Sequence, residues 1–254
     1  MTNGVSVEVC RRGIATILLN RPERSNAIDQ ATLDELAQQF ATLAADERAR
    51  VIVLRGTGKH FCAGADLVAR ASTPEPSAAQ TTIVDMLAAL DRLPKPTVAA
   101  VHGAAIGAGA ALAACCDVVV AADSAFFSIP EVRIGMAPLG VTPFVIRAIG
   151  HRSFRRYGLS GERFDATEAL RVGLAHEVVT AEQLDAKLGE VVDALLHGAP
   201  GAQWTLKDGM EHSVMPAVAA IVAARPSHGS SRTAEAQEGI ASFKEKRKPS
   251  WYPQ

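Results

Sequence analysis

Two segments of this sequence, Phe61-Cys62-Ala63-Gly64-Ala65-Asp66-Leu67 and Gly103-Ala104-Ala105-Ile106-Gly107-Ala108-Gly109-Ala110-Ala111-Leu112, share a layout. Each contains glycine, follows a short apolar run and leads into a helical pattern. Backbone N–H groups at a helix N-terminus have no intrahelical acceptor and lie at the positive end of the helix dipole, so they can hold an anion. Two such segments meeting in space would aim two donors at one point. That is the arrangement of an oxyanion hole, which stabilises negative charge as it develops on a carbonyl oxygen. The same glycines would also serve close packing of helix on strand, and either segment taken alone is accounted for in that way.

Other chemistries fail on spacing. Gly158-Leu159-Ser160-Gly161 lacks the second glycine of a serine nucleophile elbow, and His176-Glu177 has no second histidine to complete a zinc-protease helix. Gly58-Lys59 suggests a phosphate-binding loop, but Val53 stands where its first glycine belongs and His60 where a magnesium-binding hydroxyl belongs. Gly107-Ala108-Gly109 lacks the third glycine of a dinucleotide fingerprint. Cys10, Cys62, Cys115 and Cys116 form no zinc-type spacing, and the expectation is of reduced, buried thiols in an intracellular protein.

The elements that would position the two segments can be read from periodicity. Val5 to Cys10 and Ile14 to Leu19 around Arg12-Gly13 predict a β-hairpin. Asp29 precedes Leu33, Leu36, Phe40 and Leu43, the spacing of a capped amphipathic helix. Val51 to Leu54, Thr97 to Val101, Val118 to Ala122 and Ala175 to Val179 predict short strands. Helices are predicted from about Ala78 to Leu93, from the second glycine segment to near Cys116, and from a capping box at Asp165–Glu168 to Val172. Ala71 to Ala79, with Pro74 and Pro76, reads as a surface loop. From Glu182 onward the pattern is helical, including Pro216 to Ala224 and Arg232 to Lys246, with an interruption at His197 to Gly201. Strands alternating with helices predict an α/β fold with parallel pairing. The expected division is a core over 1–197 and a helical region over 198–254.

With 254 residues, 48% hydrophobic and 21% charged, the chain can bury a full core. Its net charge of −1 gives no electrostatic case for nucleic acid or an anionic membrane. No signal-peptide layout opens the sequence, and glycines and Asp117 break the nearest approach to a membrane span, so a soluble, cytoplasmic chain is expected.

Asn20-Arg21-Pro22 with Asn26-Ala27, then Phe61 to Asp66, Gly103 to Asp117, Pro130-Glu131 with Ile134-Gly135, Thr167 to Val179 and Phe243 to Pro249 stand in that order along the chain. This ordered set, covering nearly the whole sequence, resembles the enoyl-CoA hydratase/isomerase (crotonase) superfamily. The resemblance implies a right-handed spiral of ββα units with a C-terminal helical trimerisation region, hence a homotrimer or a hexamer built as a dimer of trimers. It implies an acyl-CoA thioester substrate, with coenzyme A as part of that substrate, and neither a separate cofactor nor a metal. The oxyanion donors would be the backbone N–H groups of Ala65 and Ala108, and Glu131 would be the acid/base. Arg24, Ala27 and Ala63 would contact coenzyme A, joined by Phe243 and Lys246 from a neighbouring subunit.

One departure from the pattern bears on the reaction. Hydratases of this family use two glutamates, and the first falls on Ala111 in this sequence. Adding water across a double bond usually calls for one group to orient the water and another to manage the α-proton. A single carboxylate suffices to move a proton from C2 to C4 of a 3-enoyl thioester. Yet the run from Glu131 to Gly150 is similar to relatives that hydrate with only the second glutamate. The expectation is therefore an enoyl-CoA hydratase, with a Δ3,Δ2-enoyl-CoA isomerase as the alternative and a catalytically silent acyl-CoA-binding paralogue as an alternative of another class. Asp66 reads as a helix cap, and His102, Asp117 and the Cys115-Cys116 pair as structural.

Overall fold

The structure, a computed structural model, describes residues 4–71, 80–214 and 234–250. β1 (Val5–Val9) and β2 (Ile14–Leu19) form the expected antiparallel hairpin, with Val5 opposite Leu19 and Val9 opposite Ala15. α1 (Gln30–Ala45) begins where the Asp29 carboxylate accepts a hydrogen bond from the Thr32 N–H. It buries Leu33, Leu36, Phe40 and Leu43, each burial contributing ~1.5–3 kcal/mol. The chain continues through β3 (Val51–Gly56), α2 (Leu67–Ala71), α3 (Ile83–Asp91), β4 (Thr97–Val101), β5 (Ala104–Ile106) and α4 (Ala108–Cys115). Then come β6 (Val118–Ala122), β7 (Phe126–Ser128), α5 (Thr142–Ser160), β8 (Phe164–Asp165), α6 (Ala166–Val172) and β9 (Glu177–Val179). α7 (Leu184–Leu196), α8 (Pro200–Val214) and α9 (Ala234–Lys244) follow.

Two sheets result, ordered β1-β2-β3-β4-β6-β9 and β5-β7-β8. From β2 onward the larger sheet is parallel throughout. Its central strands carry continuous apolar runs, Val51 to Leu54, Val98 to Val101 and Val118 to Ala122, because both faces are covered there. Ile52, Leu54, Ala99 and Val101 point into the core that includes α1 and α3, while Val51, Val53, Val98 and Val120 meet Leu184, Leu188 and Val192 of α7. After β4 and again after β6 the chain steps from the large sheet to the small one before entering a helix.

Several expectations need correction. Gly103 to Gly109 does not turn straight into a helix, because β5 intervenes and pairs in parallel with β7. No element was expected between Ala122 and Asp165, where β7 and α5 lie; α5 is itself broken at Gly150, whose φ of 73° and ψ of 160° are not helical. α3 starts at Ile83 behind a Thr82–Asp85 capping box. Asp165 caps α6 as expected, but the Glu168 carboxylate turns to Arg171 and Tyr157 instead of completing a capping box. Cys10 is exposed, against the expectation of buried thiols, while the other three cysteines are buried. The Ala71–Ala79 loop beyond Ala71, and Pro216–Ala224, lie outside the described residues. Among the described residues no helix is long and apolar enough to cross a membrane.

Candidate active site

The two glycine-bearing segments meet. Cys62 and Ala105 form a parallel bridge in which the Cys62 N–H donates to the Ala104 carbonyl and the Ile106 N–H to the Cys62 carbonyl, both at 2.9 Å. A Cβ on Gly64 would lie 2.7 Å from the Ile106 carbonyl oxygen and 3.7 Å from the Ala108 nitrogen. Gly64 also has φ of +90°, so this approach calls for glycine twice over.

On the other side, Ile28 bridges to Ala65 by donating to the Gly64 carbonyl and accepting from the Asp66 N–H, at 2.7 and 2.8 Å. That pattern passes over the Ala65 N–H. At α4 the Gly107 N–H donates to the Ser128 carbonyl at 2.8 Å, and Ala108 is the first helical residue. Among the described residues, neither the Ala65 nor the Ala108 N–H donates to a protein acceptor. Two unused amides therefore flank the contact between the segments, the Ala108 one buried and the Ala65 residue exposed.

Glu131 opens a 3-10 turn, Glu131–Ile134, after Pro130. Its carboxylate lies against the Cα of Gly107: a Cβ there would stand 2.5 Å from Oε1 and 3.4 Å from Cδ. Gly107 has φ of +54°, which turns the backbone into α4 and leaves room for the acid. Oε2 is shut off from solvent and, among the described residues, has no hydrogen-bond partner. Burial pushes the Glu131 carboxyl up to about 6. A carboxylate so placed is mostly ionised near neutral pH yet readily protonated, which suits a group that takes a proton and returns it.

Ala111 sits one turn into α4, its N–H bonded to the Gly107 carbonyl, and it is fully buried. Among the described residues, none of the buried polar side chains stands in for the missing acid. Asn26, Thr32, Asp66, Asp91, Thr97, Ser128 and Ser242 are each hydrogen-bonded to partners of their own.

The remaining expected site residues separate into two groups. Ala63 donates to the Ser25 carbonyl and Ala27 to the Arg24 carbonyl, both at 3.0 Å, so the Arg24–Ile28 segment runs beside the first glycine segment with Arg24 exposed. Phe243, in the last turn of α9, and Lys246, two residues past its end, stand exposed, and Lys246 forms no side-chain hydrogen bond with Ala65, Ala108 or Glu131. Asp66 caps α2 through the Val68 and Ala69 N–H groups and faces Arg21 at 3.3 Å. His102 pairs through Nε2 with the Gly58 carbonyl, and Asp117 accepts from Thr97 and Lys207.

Asn26 and Ser128 had no assigned role from the sequence. The Asn26 amide donates to the Thr57 and His60 carbonyls and its oxygen accepts from the Arg21 N–H, fastening the Arg24 loop to the stretch that leads into the first glycine segment. Ser128 supplies the carbonyl that fixes Gly107 and donates its hydroxyl to the Gly161 carbonyl. Asn26 belongs to the Asn20–Ala27 stretch of the family pattern; no local pattern marks Ser128. An open cavity of about 1070 Å³ lies elsewhere, at the C-terminal end of α4, lined by Cys115, Cys116, Arg147, His176 and Lys207.

The sequence model of the family described as enoyl-CoA hydratase/isomerase matches residues 10–254, nearly the whole chain. The chain belongs to the enoyl-CoA hydratase/isomerase family. Its members act on acyl-CoA thioesters, and the chain is an enzyme of the hydratase or isomerase type. The chain is 35% identical to the mevalonyl-coenzyme A hydratase sidH of Aspergillus fumigatus, over 94% of this chain and 92% of that protein. It is 32% identical to the 2,3-dehydroadipyl-CoA hydratase of Escherichia coli, over 93% and 94%. The solved enoyl-CoA hydratase/isomerase of Pseudoalteromonas atlantica T6c superposes with a TM-score of 0.89 at 28% identity, covering 98% of this chain and 100% of that one. The mixed α/β architecture is thus the crotonase fold.

Proposed function

We propose that the chain is an enoyl-CoA hydratase in which Glu131 is the acid/base and the Ala65 and Ala108 amides hold the thioester oxygen. Water bonds to C3 of a 2-enoyl-CoA while its proton passes to Glu131. The displaced π electrons move through C2 to the thioester oxygen, forming an enolate that the two amides stabilise. Glu131 then returns a proton to C2, so the sum is addition of one water. The reading rests chiefly on one observation: a buried carboxylate oxygen beside Gly107, next to the Ala108 amide, neither with a hydrogen-bond partner among the described residues. Relatives named as hydratases support it. Arg24, Ala27 and Ala63 would meet coenzyme A, with Phe243 and Lys246 meeting that of a neighbouring subunit.

Ala111 favours a second reading. With no first glutamate, Glu131 alone could take the C2 proton of a 3-enoyl-CoA and deliver it to C4, making the enzyme a Δ3,Δ2-isomerase. A paired assay on 2-enoyl-CoA and 3-enoyl-CoA of several chain lengths, beside Glu131→Gln, separates the two. Hydration abolished by the substitution supports the hydratase, and isomerisation alone supports the second reading. Silence on both substrates with coenzyme A esters still bound would replace enzyme chemistry with a binding paralogue. A homotrimer, or a dimer of trimers, is proposed through the C-terminal helices, where α8 exposes Trp204, Leu206 and Met210. Light scattering on the eluting protein tests it.

A further inference from the structure

The Glu131 turn has little of its own to hold it. Its backbone bonds are local: Arg133 N–H to Pro130, Gly135 N–H to Val132, and Met136 N–H to Glu131. Among the described residues no strand pairs with it, so its position must come from what packs on either side. On one side the Arg133 guanidinium donates through Nε to the Ser160 carbonyl at 2.8 Å, and its stem lies against Gly161 at the end of α5. On the other side is α9. A Cβ on Gly239 would lie 2.3 Å from the Ile134 carbonyl carbon, 2.4 Å from its oxygen and 2.5 Å from its Cα.

All three neighbours are backbone, so no side-chain rotation could relieve the clash. The helix therefore seats directly on the main chain of the turn, three residues from Glu131. Gly239 is buried, and the Ser242 hydroxyl bonds back to the Gly239 carbonyl on the same helix. Beyond it Arg247 reaches back to Glu238 at 2.6 and 2.9 Å, tying the chain after the helix to the residue next to Gly239.

We infer that Gly239 is a positioning residue for Glu131, allowing α9 to hold the catalytic turn against Gly107. This rests on the reading of Glu131 as the acid/base. A methyl at this position would force helix and turn apart, and a displacement of ~1 Å at a reacting group can cost about 100-fold in rate. A displaced carboxylate would also gain water, so its apparent pKa should fall from about 6 towards the ordinary carboxylate value.

The experiment is kcat, KM and the pH dependence of kcat for full-length wild type, Gly239→Ala, and Gln237→Ala, an exposed position on the same helix. The expected result for Gly239→Ala is kcat down roughly 10- to 100-fold, KM within about threefold and the acid limb moved to lower pH, with Gln237→Ala like wild type. Unchanged kcat and acid limb in a folded Gly239→Ala protein would overturn the inference. Should that variant not fold, hydrogen exchange on Glu238→Ala decides, since it frees Arg247 and Ser250 without adding bulk. Faster exchange in α9 that spreads to residues 131–136 and lowers kcat supports the inference; faster exchange confined to α9 overturns it. Glu131→Gln measured alongside distinguishes the two layers, because full activity in that variant defeats the acid/base reading itself.

Discussion

The entry to α4 and the Glu131 turn face each other across Gly107, yet they are held in different ways. Around the entry, Cys62, Ala104, Ile106, Gly107 and Ser128 exchange backbone hydrogen bonds of 2.8 to 2.9 Å between three chain segments. Nearly everything there is buried. Among the described residues the turn has only local backbone hydrogen bonds, and it is held by the Arg133 bond to the Ser160 carbonyl and by packing against α5 and α9. In the proposed function, donors that must not reorganise as charge develops are thus built into a hydrogen-bonded sheet edge. The proposed acid/base, Glu131, sits on a less constrained element, and its burial raises its proton affinity. Damage to the first should act through geometry, and damage to the second through protonation and placement.

The sharpest way to break this contrast is Glu131→Gln. Glutamine keeps the shape but cannot take a proton, so kcat should fall by ~10²–10⁴, the usual worth of a general acid/base. Coenzyme A ester affinity, followed by calorimetry, should change little. In the wild type kcat/KM should rise with pH through about 6 as Glu131 ionises, if the carboxylate is the base that meets the incoming water. A fall of kcat/KM with rising pH in that range would reverse the assignment. Next in size is Gly64→Ala, which adds a methyl 2.7 Å from the Ile106 carbonyl at a φ of +90°. Moving one of the two donors out of line should cost ~10²–10³ in kcat, with the acid limb near pH 6 left in place. A shifted acid limb in Gly64→Ala would mean that the two regions are not separable.

The difference between the regions also decides what the sequence could show. The hairpin, α1 and the buried strands of the large sheet carry their periodicity locally, so β1, β2, β3, β4 and β6 were readable. The small sheet was not, because Ala104–Ile106, Phe126–Ser128 and Phe164–Asp165 are two or three residues long and pair with segments far along the chain. Glycine and dipole arguments pick out the two segments, while Ala65 and Ala108 as the donors come only with the family resemblance; the meeting of the segments depends on the Cys62–Ala105 bridge, which no local pattern announces. Glu131 read as an ordinary turn glutamate except within the ordered family motifs. The contact of Gly239 with Ile134 joins residues about a hundred positions apart and has no sequence signature.

A smaller effect concerns stability and sharpens the view of the turn as the protonation side of the pair. The Glu131 carboxyl is raised from 4.5 to about 6 in the folded protein by burial. Below pH 4.5 it is protonated whether the chain is folded or not, and it contributes no penalty. As pH rises through about 6 the folded protein must hold a buried carboxylate, and that relative stability is lost, by about 2 kcal/mol. Glu131→Gln has no such loss. The variant should therefore match wild type in urea unfolding near pH 4 and exceed it by about 2 kcal/mol above pH 7. Equal stabilities at both pH values would mean that the carboxylate is better hydrated than its surroundings indicate.

The smallest predicted effect lies at Asp66, beside one donor and tempting as a second acid to replace the glutamate absent at Ala111. Its oxygens are already engaged: Oδ1 accepts from the Val68 and Ala69 N–H groups, and Oδ2 faces Arg21. An acid spent on capping cannot also shuttle protons without releasing the helix it caps. Asp66→Asn keeps a side-chain oxygen for the cap and should leave kcat within about threefold, with stability lowered by ~1 kcal/mol as the charge facing Arg21 disappears. A loss as large as that of Glu131→Gln, with the fold intact by circular dichroism, would make Asp66 the missing partner. It would also move the acid/base work onto the hydrogen-bonded side, and the division between fixed donors and a titrating turn would no longer describe this site.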